Sequence, residues 1–322
     1  MRISDLKKFV LKFLVFCFCM ILVDSLCGVS FPVIQKYSKS GSTRTNFYLS
    51  NECDADVLVL GSSRAMHHYV PMILDSLGGK AYNAGNDGMG VVLGYGRYLM
   101  CSEKHVPKIV IYDMSVFDYI KDDNSKYLKF LRPYGDREYI RSIISQIGEP
   151  FSDLKLLSHM YRNTSRIIPN VRDLLIGENV DLNRGYLPLY KICSNCNKDV
   201  DKYDAMTLEL DSMKIKMFDQ FVSETVRRGS KLYLSISPRF FNEKPDGMPP
   251  SYVYALKLAE RYNVPLLNNI FTPDISDNHI MFADLTHMNK DGATLFTRKI
   301  VEKIRSLEKN KFLFGEGTGL RI

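Results

Sequence analysis

The chain has 322 residues, 45% of them hydrophobic and 25% charged, a globular balance in a length that suits one large domain or two small ones. Its net charge of +7 is not gathered into a basic stripe with interleaved aromatics, which argues against a nucleic-acid partner and leaves an anionic polymer or a membrane surface. Tryptophan is absent, which weakens a carbohydrate-stacking cleft, although 19 tyrosines could stand in.

Residues 1–8 form a basic N-terminal tail. Arg2, Lys7, Lys8 and Lys12 precede an apolar run that Asp24 interrupts and that resumes to Phe31. A span needs roughly 20 apolar residues, and Lys12 can snorkel to lengthen this one. Residues 9–31 therefore read as a transmembrane signal anchor with the N-terminus cytoplasmic. A cleaved signal peptide is the competing reading, with Gly28-x-Ser30 as the small-residue pattern. Both export the body to the periplasm or cell surface, although Lys36, Lys39 and Arg44 blur the charge asymmetry. The polar, serine-rich segment 32–52 reads as a tether.

The body, 53–308, opens with Val57-Leu58-Val59-Leu60, an unbroken apolar run expected of a strand covered on both faces. It stops at Gly61-Ser62-Ser63-Arg64. A short helix over 71–77 ends at Gly78-Gly79. A second strand, 80–83, runs into the glycine-rich turn Asn83–Gly90, followed by a helix over 91–100 and a third strand, 109–112, ending at Asp113. Strands that alternate with helices predict βαβ units and a parallel sheet. Residues 118–205 are charged, aromatic and irregular, and read as a mostly helical insertion with a helix over 136–147. Insertions at such a place shape a pocket or a partner surface. Regular alternation resumes with a helix around Ile215–Thr225, a strand over 231–236, a helix face from Tyr252 to Tyr262 and a short strand over 264–268. A long helix over 290–307 follows, with Asn289 as its N-cap. Residues 309–322 read as a loose tail.

Cys17, Cys19 and Cys27 lie in the apolar N-terminal run. Cys193-x-x-Cys196 is compatible with half a zinc site, a redox pair or a disulfide. Without a second metal-spaced pair, a local disulfide is the default in an exported protein. Cys53 and Cys101 should both lie at the amino-end side of the sheet, where a bridge can join them.

Acyl transfer through serine requires a hydroxyl, a base, a group that orients the base, and donors for the oxyanion. Ser63, His287 and Asp284 supply the first three. Backbone N–H groups of Ser63 and Gly85 are candidate oxyanion donors, since glycine permits close approach. Arg64 and Asn86, beside them, are candidate substrate-binding residues, with a plain surface ion pair as the other reading of Arg64. His67 and His68 are rival bases with little freedom to reach a hydroxyl on the same short segment. Asp87, Asp113 and Asp118 read as capping groups, and no histidine-rich spacing calls for a metal. No cofactor is expected.

Gly61-Ser62-Ser63, Asn83-x-Gly85 and Asp284-x-x-His287, in that order over about residues 53–308, resemble the SGNH (GDSL-type) hydrolase family. The resemblance implies a flavodoxin-like three-layer sandwich with a central parallel sheet of about five strands. It also implies a nucleophile at Ser63, an Asp284–His287 pair and an oxyanion hole that includes Gly85. Two blocks depart from the family pattern. Ser62 stands where aspartate is usual. The third block reads Tyr112-Asp113-Met114-Ser115-Val116-Phe117-Asp118 instead of Gly-x-Asn-Asp, so either Ser115 replaces the asparagine donor or the donor is missing. Loss of one such donor costs about a hundred- to a thousand-fold in rate. A membrane-anchored body with a variant third block is similar to SGNH-like proteins that accompany cell-envelope O-acylation. The expectation is an extracytoplasmic serine esterase or O-acyltransferase acting on an acyl ester of a cell-envelope glycan, with a membrane-bound acyltransferase as candidate partner. The alternative is a weak or inactive binding or scaffold subunit of an envelope-polysaccharide modification system.

Overall fold

The computed structural model describes residues 3–39, 41–176, 183–194, 196, 209–241 and 250–314. Helix α1 (Ile3–Tyr37) runs 35 residues without a break, through Pro32. It is long and apolar enough to cross a membrane, and the expected span 9–31 lies within it.

The expected tether at 32–52 is instead ordered and docked. Its first residues complete α1, and α2 (Gly41–Phe47) and a π-turn (Tyr48–Glu52) pack onto the domain. The polar composition, read as solvation, is spent on buried pairing. Asn46 Nδ2 donates to the Phe130 carbonyl at 3.0 Å, its Oδ1 accepts from Arg97 Nε at 2.8 Å, and Thr43 Oγ1 donates to Asn170 Oδ1 at 2.6 Å. Tyr48 stacks on Tyr82 with ring centroids 4.1 Å apart. A Cys53–Cys101 disulfide then fastens this segment to the domain.

Five strands follow: β1 (Val57–Gly61), β2 (Ala81–Asn83), β3 (Ile109–Asp113), β4 (Lys231–Ile236) and β5 (Leu266–Asn268). They are parallel throughout, in the order β2-β1-β3-β4-β5, which is the flavodoxin-like arrangement. Side chains alternate between faces along a strand. Leu58 and Leu60 thus enter one core and Val57 and Val59 the other, which is why the run has no polar member.

Among the described residues the remaining α-helices are α3 (Ser63–His68), α4 (Pro71–Leu74) and α5 (Val91–Lys104), then α6 (Leu128–Leu131), α7 (Glu138–Ile147), α8 (Ser152–Lys155), α9 (His159–Asn163) and α10 (Ile167–Ile176), and finally α11 (Ser212–Arg227), α12 (Pro250–Tyr262) and α13 (Lys290–Phe314). Phe218 and Phe221 of α11 join Val92 and Tyr98 of α5 in the first core, while Ala65 of α3 joins Phe296 and Ile300 of α13 in the second. Helices therefore cover both faces of the sheet. α13 continues to Phe314, past the expected domain end at 308; residues 315–322 lie outside the described residues.

The insertion divides. Its first part, α6–α10, is helical, with Ile140, Ile143 and Ile144 buried beside α5 and with α9 and α10 against α1. Its returning limb, 183–194, lies beside the strand ends. Asn83 N–H donates to the Arg184 carbonyl (2.9 Å), Leu187 N–H to Met66 (3.1 Å) and Cys193 N–H to Phe282 (2.8 Å). A disulfide joins Cys193 to Cys196. Residues 177–182, 195 and 197–205 of the insertion lie outside the described residues.

Candidate active site

β1 must turn sharply into α3, and Gly61 makes the turn. Its φ is +138°, and an added Cβ would collide with the Asp113 carbonyl. Ser62 is extended, and Ser63 begins α3 at the carboxyl end of β1. The strand order reverses about β1, between β2 and β3, and ligands of open α/β sheets bind at such switch points. N–H groups in the first turn of a helix have no intrahelical acceptor, so the Ser63 N–H faces outward from α3.

His287 arrives on a tight loop closed by the Phe282–Met288 bridge and by Ala283 N–H donating to the His287 carbonyl at 2.8 Å. Asp284 folds back within that loop. Its Oδ1 accepts the N–H groups of Thr286 (3.0 Å) and His287 (2.9 Å), and its two oxygens lie 2.9 and 3.0 Å from His287 Nδ1. A carboxylate can only accept, so Nδ1 carries the proton and Nε2 is left as acceptor. Ser63 Oγ lies 2.7 Å from Nε2 and is therefore the donor in that bond. Burial works to raise the Asp284 pKa. The His287 imidazole and the two loop N–H groups outweigh it and hold the carboxyl well below its ordinary value.

A cavity of about 490 Å³ opens over these three residues, lined also by Ser115, Phe117, His67 and Lys191. Ser115 caps the turn at Val116–Asp118, its side chain accepting from the Asp118 N–H in a capping box, and its buried hydroxyl proton has no acceptor among the described residues. Its own N–H is taken by Asp118 Oδ2 at 2.7 Å. Burial drives the Asp118 pKa up to about 7, against the Ser115 N–H and the Tyr112 hydroxyl.

Three expectations for this site need correction. Gly85 lies behind α3, not in the cavity. Its N–H donates to Asn83 Oδ1 at 3.0 Å, and an added Cβ would overlap the Met66 N–H. Asn83 Nδ2 meanwhile donates to the carbonyls of Ala65 (2.7 Å) and Tyr69 (2.9 Å). Asn83-x-Gly85 is thus a knot tying β2 to α3. Arg64 touches the cavity, but its guanidinium turns into the protein. It donates to the carbonyls of Met114 and of Ser237 (3.3 Å), lies 3.8 Å from Asp113 Oδ2, and stacks 4.8 Å over Tyr252. Asn86 is likewise spent. Its Oδ1 accepts from Arg97 Nη2 (3.1 Å) and from Ser42, and its Nδ2 donates to the Asp87 carbonyl at 3.3 Å.

Both neighbouring histidines have other partners. Met288 N–H donates to His68 Nε2 at 2.9 Å, so Nδ1 donates to Ser237 Oγ (2.9 Å), which donates to Asp113 Oδ2 (2.9 Å). Burial, followed by the nearby charges of His287, Arg64 and His67, puts the His68 pKa well below its ordinary value. His68 is thus a neutral strut between the His287 loop and the third block. Asp113 also accepts from the Tyr69 hydroxyl (3.0 Å) and Ser237 N–H (2.9 Å). Burial raises its pKa against these donors and Arg64. His67 Nδ1 meets the Leu187 carbonyl at 2.7 Å and Nε2 lies 3.3 Å from Asp87 Oδ1. Burial would lower its pKa, and these two acceptors raise it above the ordinary value. The placement of His67 four residues after Ser63, one helical turn on, was the available signal that it shares the cavity face.

The chain matches no family model and no curated protein. Several solved structures are similar to it. TesA is 12% identical, with 78% of this chain and 98% of that chain covered and a TM-score of 0.36. The acetyl xylan esterase AlAXEase is 12% identical, with 78% and 98% covered and a TM-score of 0.38. A GDSL-like lipase from Bacteroides thetaiotaomicron is 10% identical, with 84% and 99% covered and a TM-score of 0.36.

Proposed function

We propose that this protein is a membrane-anchored, SGNH-like serine acyl-ester hydrolase or O-acyltransferase with its body outside the cytoplasm. The observation that carries the reading is the continuous hydrogen-bond chain from Ser63 Oγ through His287 to Asp284. Ser63 Oγ attacks the acyl carbonyl carbon while His287 Nε2 takes its proton, and Asp284 stabilises the imidazolium. The tetrahedral oxyanion accepts from the Ser63 N–H and the Ser115 hydroxyl. Collapse expels the alcohol, protonated by His287, and leaves an acyl group on Ser63. Water then completes hydrolysis, or a glycan hydroxyl completes transfer. A cell-envelope glycan is the substrate class in this reading, and a membrane-bound acyltransferase the candidate partner.

Labelling with a fluorophosphonate tests the chemistry. Phosphonylation of the wild type at Ser63, lost in Ser63→Ala, is the expected result. A second reading, a non-catalytic binding subunit of an envelope-polysaccharide system, draws on one observation: the Gly85 N–H is committed to Asn83. Well-folded protein that takes no label decides for that reading.

A further inference from the structure

Asp24 interrupts the apolar stretch of α1, and both its oxygens are used. Oδ1 accepts from Ser158 Oγ (2.6 Å) and Met160 N–H (2.9 Å). Oδ2 accepts from His159 N–H and lies beside His159 Nδ1, both at 3.0 Å. Further along, Gly28 lies against the His159 ring, where an added Cβ would come within 2.8 Å of Cδ2. Phe31 is buried, and Gln35 Nε2 donates to Asn163 Oδ1 at 3.0 Å. Positions 24, 28, 31 and 35 share one helical face. The insertion is therefore clasped along the outer third of α1.

That clasp sets its depth. Asp24 lies about 22 Å beyond Phe9 at ~1.5 Å per residue, which is inside a hydrocarbon layer of about 30 Å. Counting the span from a later residue places Asp24 deeper still. The elements joined to this point carry apolar side chains that no described residue covers. Phe151, Leu154 and Leu157, on and beside α8, are 80%, 70% and 68% exposed, and Ile168, Leu175 and Ile176 of α10 are 81%, 70% and 74% exposed. α9 and α10 both pack on α1, whose own apolar side chains are exposed. The elements that bear these side chains thus adjoin the anchor through α9 and α10. Asp153 and Arg172 are interleaved and exposed, as suits an interfacial element better than a second span.

We propose that α8–α10 form an interfacial membrane element that collars the outer end of α1 and buries these six side chains among the lipid chains of that leaflet. The proposal rests on α1 crossing a bilayer and is independent of the chemistry at Ser63. The absence of tryptophan makes the test direct, since a single introduced indole is the sole one. Full-length protein in nanodiscs of acyl-chain-brominated phosphatidylcholine would carry, one at a time, Phe151→Trp, Leu154→Trp, Ile168→Trp or Leu175→Trp. Phe16→Trp reports on α1. Ile280→Trp, beside α13 on the opposite layer, reports on the water-facing body. Bromolipid should quench the four collar indoles as it quenches Phe16→Trp and leave Ile280→Trp unchanged. Quenching at Phe16→Trp with none at the four sites overturns the collar, and blue-shifted but unquenched emission there assigns the patch to a second copy or another protein instead. An unquenched Phe16→Trp removes the anchor and the collar together.

Discussion

Arg64 follows the candidate nucleophile, and its two readings predict opposite behaviour for Arg64→Met. Its guanidinium lies 3.8 Å from Asp113 Oδ2, donates to two backbone carbonyls and stacks on Tyr252. Asp113 is fully buried, and its other hydrogen-bond partners, Tyr69 and Ser237, are neutral. Removing one member of a buried ion pair costs about 3–5 kcal/mol, because the other charge stays behind. The carbonyls of Met114 and Ser237 also lose a donor, a cost that overlaps with the first. With each kcal/mol worth about 2–4 °C in a domain of this size, Tm should fall by about 6–20 °C. Arg64→Met combined with Asp113→Asn should recover much of that loss, since no buried charge is then stranded. Thermal unfolding of the full chain in detergent, followed by far-UV circular dichroism, reads both variants. A substrate-binding arginine would give another pattern: Tm within about 2 °C of wild type and a raised KM for an anionic ester. That pattern would refute the buried ion-pair role of Arg64.

Further outcomes separate structural from chemical roles. Ser115→Ala should lower kcat/KM about a hundred- to a thousand-fold and lower Tm by only about 2–4 °C, the ~1 kcal/mol of a lost cap on the Asp118 N–H; an unaltered rate excludes Ser115 from the oxyanion hole. Gly85→Ala should cost about 1–3 kcal/mol through overpacking against the Met66 backbone, read as a lower Tm, whereas a neutral effect would mean that α3 yields freely. His67 has a folded-state pKa above its unfolded value. Its contribution is thus fully present below about pH 6.5, the unfolded value, and is lost as pH rises through the folded value. Tm measured against pH should accordingly fall more steeply in wild type than in His67→Gln across that window, and parallel curves would remove the His67–Asp87 pair as the cause.

β1, β3 and β4 were legible because each buries both faces, leaving unbroken apolar runs at Val57–Leu60, Ile109–Tyr112 and Leu232–Leu234. The nearness of Asp284 to His287 was legible because three residues of tight loop hold them together. Other features depended on distant partners. Arg64 reads as a surface cation until Met114 and Ser237 appear beneath it, and no local pattern points there. Asn83-x-Gly85 reads as a ligand-facing turn, yet its donors and acceptors close on Ala65, Tyr69 and each other. The segment 32–52 reads as solvated because its polar side chains meet their partners, Phe130 and Asn170, roughly a hundred residues later.

His287 and Asp284 ride on one loop, braced by its own Phe282–Met288 closure, while Ser63 belongs to a different element. The acid–base pair is therefore a cassette, and any rigid displacement of the loop carries both members together. Two bonds cross the seam to α3, His287 Nε2 to Ser63 Oγ and Met288 N–H to His68, while the loop itself is anchored elsewhere, by Phe240 N–H on the Leu285 carbonyl and Cys193 N–H on the Phe282 carbonyl. The Asp284–His287 bond lies within the loop and does not depend on that seam, so the tautomer of His287 is set independently of Ser63.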